Sequence, residues 1–136
     1  MRIRSLSRQT DLIFARMAGE VVDRGEYVAI KTPSNPGFHW GNYLIFSSPP
    51  QKGDLERWSE VYKNEFTYYN KIRHMVFTWD CVEQGHPEEF LGAGFHLDRA
   101  KVLTASRVSA PRKLNQEIVV RPLQSDSDWK DGLSPI

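Results

Sequence analysis

Residues 42–66, NYLIFSSPPQKGDLERWSEVYKNEF, decide how this chain is expected to fold. They open with the apolar run 42–46, which is typical of a buried, central strand. Pro49-Pro50 stops that strand, since neither residue can donate a hydrogen bond to a neighbouring strand. A helix is predicted over 54–66, with Asp54 as its N-cap. Its apolar residues recur at helical spacing and form one face: Leu55, Trp58, Val61, Tyr62 and Phe66.

The residues before this unit predict an antiparallel hairpin. Glu20–Asp23 and Tyr27–Thr32 are expected strands, and Arg24-Gly25-Glu26 between them is a tight turn signal. A short helix is predicted over 11–17, ahead of the first strand.

The residues after the unit continue the alternation of strands and helices. A connection is expected over 68–71, followed by a second central strand over 74–79 and a short helix over 87–94 that ends at a left-handed Gly94. Two further strands are predicted at 97–105 and 117–121. The order β-β-β-α-β-α-β-β predicts an α+β (mixed α/β) fold, in which a twisted sheet has both parallel and antiparallel pairs.

Length, charge and cysteine content narrow the class of protein. The chain has 136 residues, which suits one domain, and its net charge of +1 gives no electrostatic reason to expect a nucleic acid or membrane partner. Cys81 is the only cysteine, so no internal disulfide forms, and a reducing, cytoplasmic location is expected. The four histidines and Cys81 show no metal-ligand spacing, and no metal site is predicted.

An unusual concentration of aromatic and amide side chains occupies residues 32–43, between two predicted strands. Two roles are open for it. His39, Trp40 and Asn42 can line a pocket at the sheet edge, or the aromatic side chains can form an interface with a partner. An interface or structural role is favoured over a ligand site, because aromatic residues are enriched at the cores of interfaces. The candidate ligand or interface residues are Asn35, in an expected Asx-type turn, Phe38, His39, Trp40, Asn42 and Trp79.

The element order resembles the GNAT superfamily of N-acetyltransferases, in an acyl-CoA N-acyltransferase fold, over residues 19–121. Residues 42–66 match the family's strand, cofactor loop and helix, and 90–95 (FLGAGF) are similar to the end of its second helix. The runs PSNP, FHWGN, PP, GDL and RW within residues 33–58 resemble more specifically the degenerate N-terminal domain of two-domain bacterial GNAT proteins. Residues 118–129 resemble the opening of the next domain.

The resemblance implies a non-catalytic first half of a tandem acetyltransferase. Residues 1–121 would be one GNAT-like domain, and 122–136 a linker or the start of a missing second domain. The partner would be that second domain or a second copy in a homodimer, and the family's reaction is acetyl transfer from acetyl-CoA to an amine, here a possible small-molecule substrate.

The resemblance also indicates where the acetyl-CoA site and the catalytic residues would lie. The residues at those positions differ from those typical of the family. The cofactor loop leaves only Gln51, Lys52 and Gly53 as candidate acetyl-CoA contacts, because two prolines remove backbone donors. Phe90 stands where many relatives have a tyrosine that protonates the leaving thiolate. Asp80, after the 74–79 strand, is a candidate base or substrate contact, but a helix or loop cap is the favoured role, because aspartate is common at turns.

Acetyl-CoA is therefore expected not to bind this domain, and whether the chain is an enzyme is left open. Two alternatives remain. One is a stand-alone N-acetyltransferase with a divergent acetyl-CoA loop. The other is a small-ligand binding module that uses the aromatic loop 33–42.

Overall fold

The computed structural model describes residues 1–67, 72–107, 109, 113, 115, 117 and 121–133. It comprises two compact units, Met1–Val102 and Leu103–Ile136. The first contains, in order, α1 (Leu6–Ala18), β1 (Glu20–Asp23), β2 (Tyr27–Lys31), a 3₁₀ turn (His39–Gly41), β3 (Tyr43–Phe46), α2 (Asp54–Phe66), β4 (Phe77–Trp79) and α3 (Glu88–Gly92). The second contains α4 (Asp126–Leu133).

The four strands form one mixed sheet in the order β1-β2-β3-β4. β1, β2 and β3 pair antiparallel, whereas β3 and β4 pair parallel, with Phe46 opposite Trp79. The tight hairpin at Gly25, whose φ of 85° is left-handed, reverses the chain between β1 and β2. The crossover through α2 returns the chain to the same end of the sheet, so β4 must run parallel to β3. The predicted α+β class with a mixed sheet is confirmed.

Successive side chains of β2 and β3 point to opposite faces of the sheet, so the hydrophobic core has two parts, one on each face. On one face, Leu12 of α1 packs with Val28, Ile30, Tyr43 and Ile45. The other face packs on α2 and α3 through Ala29, Leu44, Phe46, Trp58, Tyr62, Phe66 and Phe90. Trp58 and Phe46 stack face to face with 3.8 Å between ring centroids. The sheet is therefore a middle layer, with α1 on one side and α2 on the other.

The helix starts differ in detail from expectation. α1 begins five residues before the predicted 11–17 segment, because Ser5 caps it by accepting from the Arg8 N–H at 3.4 Å. At α2 the prediction of Asp54 as N-cap is wrong. Gly53 occupies that position with φ 88°, and Asp54 is the first helical residue. Its carboxylate accepts the backbone N–H of Gln51 at 2.8 Å.

The later part of the chain departs further from the predicted pattern. The expected 74–79 strand shortens to β4 and lies at the end of the described sheet, not in its centre. No strand forms over 97–105, where Val102 and Leu103 are exposed, so that prediction is wrong. Gly94 has the expected left-handed φ of 90°, two residues after α3 ends.

Two predicted segments cannot be compared. Residues 68–71, the expected connection, and 118–120, the middle of the expected 117–121 strand, lie outside the described residues. Among the residues that are described, no helix has the length and apolar character needed to cross a membrane.

Candidate functional site

Asn42 organises the aromatic loop. From here on, that name covers residues 32–42, so that it includes Thr32 at the start of the loop. Its side chain is fully buried: Oδ1 accepts the backbone N–H of Thr32, and Nδ2 donates to the carbonyls of Asn35 and Phe38, each at 3.0 Å. Its backbone carbonyl accepts the Tyr62 hydroxyl at 2.9 Å. Asn42 therefore holds the loop to β2 and α2 from inside, and it is not part of a surface that a ligand can reach.

The ends of the loop are in close contact with each other. The Thr32 hydroxyl donates to the Gly41 carbonyl at 2.9 Å. A Cβ on Gly41 would lie 2.7 Å from both this hydroxyl oxygen and Cδ1 of Phe38, so only glycine fits there. Within the loop, backbone N–H groups of Asn35, Phe38 and Gly41 donate to the carbonyls of Thr32, Asn35 and Phe38, respectively.

Three consecutive aromatic side chains project from this rigid base. Phe38, His39 and Trp40 are all exposed, and Trp40 makes an edge contact with Tyr43 at 6.4 Å between ring centroids. The imidazole rings of His39 and His74 lie 4.2 Å apart. Burial and the neighbouring His39 lower the pKa of His74. Exposed aromatic rings on a fixed backbone suit contact with a partner.

The end of β4 carries the two other residues singled out in the sequence. The Trp79 indole N–H donates to the Glu83 carbonyl at 2.7 Å, and the ring packs against the core. The Asp80 carboxylate accepts the backbone N–H groups of Arg4 and Ser5, just before α1. Burial raises the pKa of Asp80, but these hydrogen bonds outweigh it and lower the pKa overall. This environment matches the loop-cap role, and that of a base stays a prediction.

The N-terminus of α2 is occupied by carboxylates from the chain itself. Gly53 N–H donates to the Glu89 carboxylate at 2.9 Å, and Gln51 N–H donates to Asp54. Two carboxylates therefore lie near the positive end of the helix dipole, and the first helical N–H, that of Asp54, donates to the Gln51 carbonyl at 3.1 Å. Lys52 is exposed beside them.

A second contact joins the loops that follow the two parallel strands. His86 N–H donates to the Pro50 carbonyl at 2.7 Å. Gly85 lies so close that an added Cβ would be 2.5 Å from the Pro50 oxygen. The loop that follows β3 and the loop that follows β4 are therefore joined by direct backbone contact.

A cleft of about 300 Å³ lies beside this loop, against the first turn of α2. Its charged lining residues are Glu26, Asp54 and Arg57, and Arg57 contacts both acids, at 3.8 Å and 2.8 Å. Gln51 contributes to the lining as well. Among the described lining residues the two acids outnumber the one cation, which is unfavourable for a phosphorylated ligand.

Two further positions bear on catalysis, Phe90 and Cys81. Phe90 is buried among Trp58, Phe77 and Phe95, with ring centroids 5.4–5.8 Å away. Burial raises the pKa of the Cys81 thiol, which disfavours the nucleophilic thiolate. Within the described part of the chain, no group of three or more histidine, cysteine or acidic side chains is placed to hold a metal ion.

Sequence reasoning missed the residue that closes the α2 terminus. Glu89 is 36 positions from Gly53, and its spacing in the sequence carries no sign of this contact. The Asp54 carboxylate also accepts a backbone N–H of this loop, that of Gln51. Comparison with known proteins yields no family model, no curated protein and no solved structure that matches this chain.

Proposed function

We propose that this chain is a non-catalytic, GNAT-like domain that acts as a scaffold for a catalytic N-acetyltransferase domain, contributing to its substrate cleft or its interface. The observation that carries the proposal is the closed N-terminus of α2. The strand, loop and helix over 43–66 resemble the arrangement with which the GNAT family binds acetyl-CoA, but two of the loop's backbone donors, the N–H groups of Gln51 and Gly53, are already bonded to carboxylates.

The pyrophosphate of acetyl-CoA requires free N–H groups at a helix N-terminus. Here Gly53 N–H and Gln51 N–H bind the Glu89 and Asp54 carboxylates. Pro49 and Pro50 have no N–H to offer. A phosphate entering this loop would have to displace two carboxylates and would be repelled by their charge. We therefore expect this loop not to bind acetyl-CoA.

The position of the proton donor supports the same proposal. Phe90 has no hydroxyl, and its ring is part of the core between α2 and α3. A tyrosine there would place its hydroxyl in an apolar cluster, where an unpaired polar group is costly. The core thus uses this position for packing.

The scaffold role is supported by the aromatic loop. Phe38, His39 and Trp40 are exposed, while Asn42, Thr32 and Gly41 fix the backbone beneath them. A surface whose backbone is already held in place loses less conformational entropy when it binds. We expect this loop to contact the catalytic domain or a second copy of the chain.

Acetyl-CoA binding tests the non-catalytic part of the proposal. We expect millimolar acetyl-CoA to leave the Tm of the chain unchanged, measured by differential scanning fluorimetry and checked by calorimetric titration. A rise of several degrees would overturn the proposal and favour a stand-alone acetyltransferase. Glu89→Gln and its exposed neighbour Glu88→Gln provide a matched pair. If acetyl-CoA stabilises Glu89→Gln alone, the Glu89 carboxylate is what closes the loop.

A second experiment tests the docking surface. The wild-type chain should form dimers or bind an apolar fluorescent dye, and Trp40→Ala should reduce either signal without changing the Tm. Val82→Ala, at a position that is 97% exposed, is the control. Equal signals from Trp40→Ala and wild type would remove the loop from the proposed interface.

A further inference from the structure

The outward side of α1 carries an apolar stripe that no part of the described chain covers. Its exposed fractions are 66% for Leu6, 55% for Ile13, 67% for Phe14 and 82% for Met17. Leu6, Ile13 and Met17 are seven and four residues apart, so they lie in line along one side of the helix. Together the four side chains expose apolar area on the order of 500 Å², comparable to the largest patches on ordinary monomers.

The opposite side of α1 fixes this orientation. Leu12 is buried against Val28, Ile30, Tyr43 and Ile45, with Ala15 packed beside it. Turning the outward residues toward the sheet would expose Leu12 to water, which the hydrophobic effect opposes. Thr10 lies within the stripe, and its hydroxyl donates to the Leu6 carbonyl at 3.0 Å. The stripe is therefore a stable outer surface.

Basic charges outnumber acidic ones on α1 and the residues before it, and only some of them are paired. Residues 1–18 contain Arg2, Arg4, Arg8 and Arg16 but only one acid, Asp11. Asp11 lies 3.8 Å from Arg8, which leaves Arg2, Arg4 and Arg16 exposed and, among the described residues, without an ion pair. The amino-terminal charge is paired with Asp23 at 2.6 Å. The whole chain's net charge of +1 averages out this local excess.

We propose that α1 binds the surface of an anionic lipid bilayer, with its apolar stripe in the headgroup region and the three unpaired arginines near lipid phosphates. Exposed Leu, Ile, Phe and Met side chains combined with arginines characterise helices that lie in a membrane interface. The stripe is the convex side of a single helix, and a fluid bilayer accepts it without a complementary groove.

A second copy of the chain fits this surface less well. Two stripes packed together would bring the arginines of both copies close to one another, which is repulsive. The stripe also provides less area than the roughly 800 Å² per partner that stable interfaces bury. The proposed membrane contact uses side chains of α1, whereas the proposed scaffold contact uses Phe38, His39 and Trp40, so different variants test the two proposals.

Vesicle sedimentation with the full chain tests the proposal. We expect binding to phosphatidylcholine vesicles containing about 30% phosphatidylserine, at least tenfold weaker binding to phosphatidylcholine alone, and a loss of binding as salt is raised. Ile13→Ser with Met17→Ser should weaken binding at least tenfold, as should Arg2→Glu with Arg16→Glu. Val82→Ser, which removes an exposed apolar side chain elsewhere, should bind like wild type.

The variants change exposed positions, so each should keep the wild-type Tm, and circular dichroism verifies this. Three results would overturn the proposal. One is the absence of sedimentation with anionic vesicles, and another is equal binding to neutral vesicles. The third is a dimer in solution that dissociates in the Ile13→Ser, Met17→Ser variant, because a second copy would then cover the stripe.

Discussion

Asn42 shows how much one buried amide contributes to a loop. Asn42→Ala leaves the Thr32 N–H and the carbonyls of Asn35 and Phe38 without their partner. Because buried polar groups are costly to leave unpaired, we expect a loss of about 3 kcal/mol in the free energy of unfolding, measured with urea. Asn42→Asp should be at least as damaging at pH 7, since a carboxylate oxygen would face two carbonyl oxygens.

The exposed side chain of Asn35 is the matched control. Asn35→Ala keeps the backbone carbonyl that Asn42 binds, so stability should change by less than about 0.5 kcal/mol. A well-tolerated Asn42→Asp would show that the loop does not depend on the amide donor.

Glu65 makes the stability of the protein depend on pH. Its side chain is only 7% exposed and binds Arg24 at 2.7 Å, Lys31 at 2.6 Å and Tyr27 at 2.8 Å. Burial raises the pKa of Glu65, but these three partners lower the pKa by more than burial raises it, and the net value is about 2. The stabilisation is therefore present above the unfolded pKa and is lost as the pH falls from about 4.5 to 2.

We expect the Glu65 contribution to be about 3 kcal/mol at neutral pH, at 1.36 kcal/mol per pKa unit. Urea unfolding between pH 2 and 7 measures it. Glu65→Gln should be less stable than wild type at pH 7 and should lose less stability on acidification. Glu60→Gln, exposed on the same helix, should keep the wild-type pH profile. Parallel pH profiles for Glu65→Gln and wild type would contradict this assignment.

At the residue scale, the sequence shows which segments are unusual, but it does not show what each side chain in them contacts. The aromatic and amide composition of 32–42 identifies an unusual loop, and Phe38, His39 and Trp40 are exposed as an interface requires. The burial of Asn42 cannot be read from the same composition, because an asparagine that binds a ligand and one that binds three backbone groups look alike. Glu65 likewise looks like part of the polar side of α2 until β2 is packed against it.

At the scale of elements, the contact between the loops after β3 and β4 depends on a glycine. Gly85 has a left-handed φ of 69°, and a Cβ there would lie 2.5 Å from the Pro50 oxygen and 2.7 Å from Pro49 Cβ. Gly85→Ala should therefore cost about 3 kcal/mol by urea unfolding, from backbone strain together with the clash. Gly25→Ala, at a φ of 85° with nothing within 4 Å, should cost about 1 kcal/mol. Equal costs would show that the loops separate easily.

Elements that depend on local signals are predicted well. The hairpin at Gly25, the strand before Pro49-Pro50 and the helix over 54–66 all have turn residues or periodicity within their own sequence, and each forms. The failed strand over 97–105 lacks such support. Its apolar residues alternate incompletely, and a strand also needs a neighbour to pair with, which local sequence does not specify.

At the scale of the whole molecule, the described core lies entirely within the first unit. Both hydrophobic clusters and all four strands fall in residues 1–102. A chain that ends at Val102 should therefore unfold in one cooperative transition and retain native tryptophan fluorescence. An uncooperative or absent transition would show that residues beyond 102 are needed for folding.

The parallel pairing of β3 with β4 has a consequence for the order in which the sheet assembles. β1, β2 and β3 are neighbours in sequence and can pair by closing short loops. β4 meets β3 only after the intervening 30 residues, including α2, have been placed. Closing that longer loop costs more entropy before any contact repays it. The three-stranded meander should therefore form first during folding, with β4 and the Trp58 side of the core added in a later, slower step.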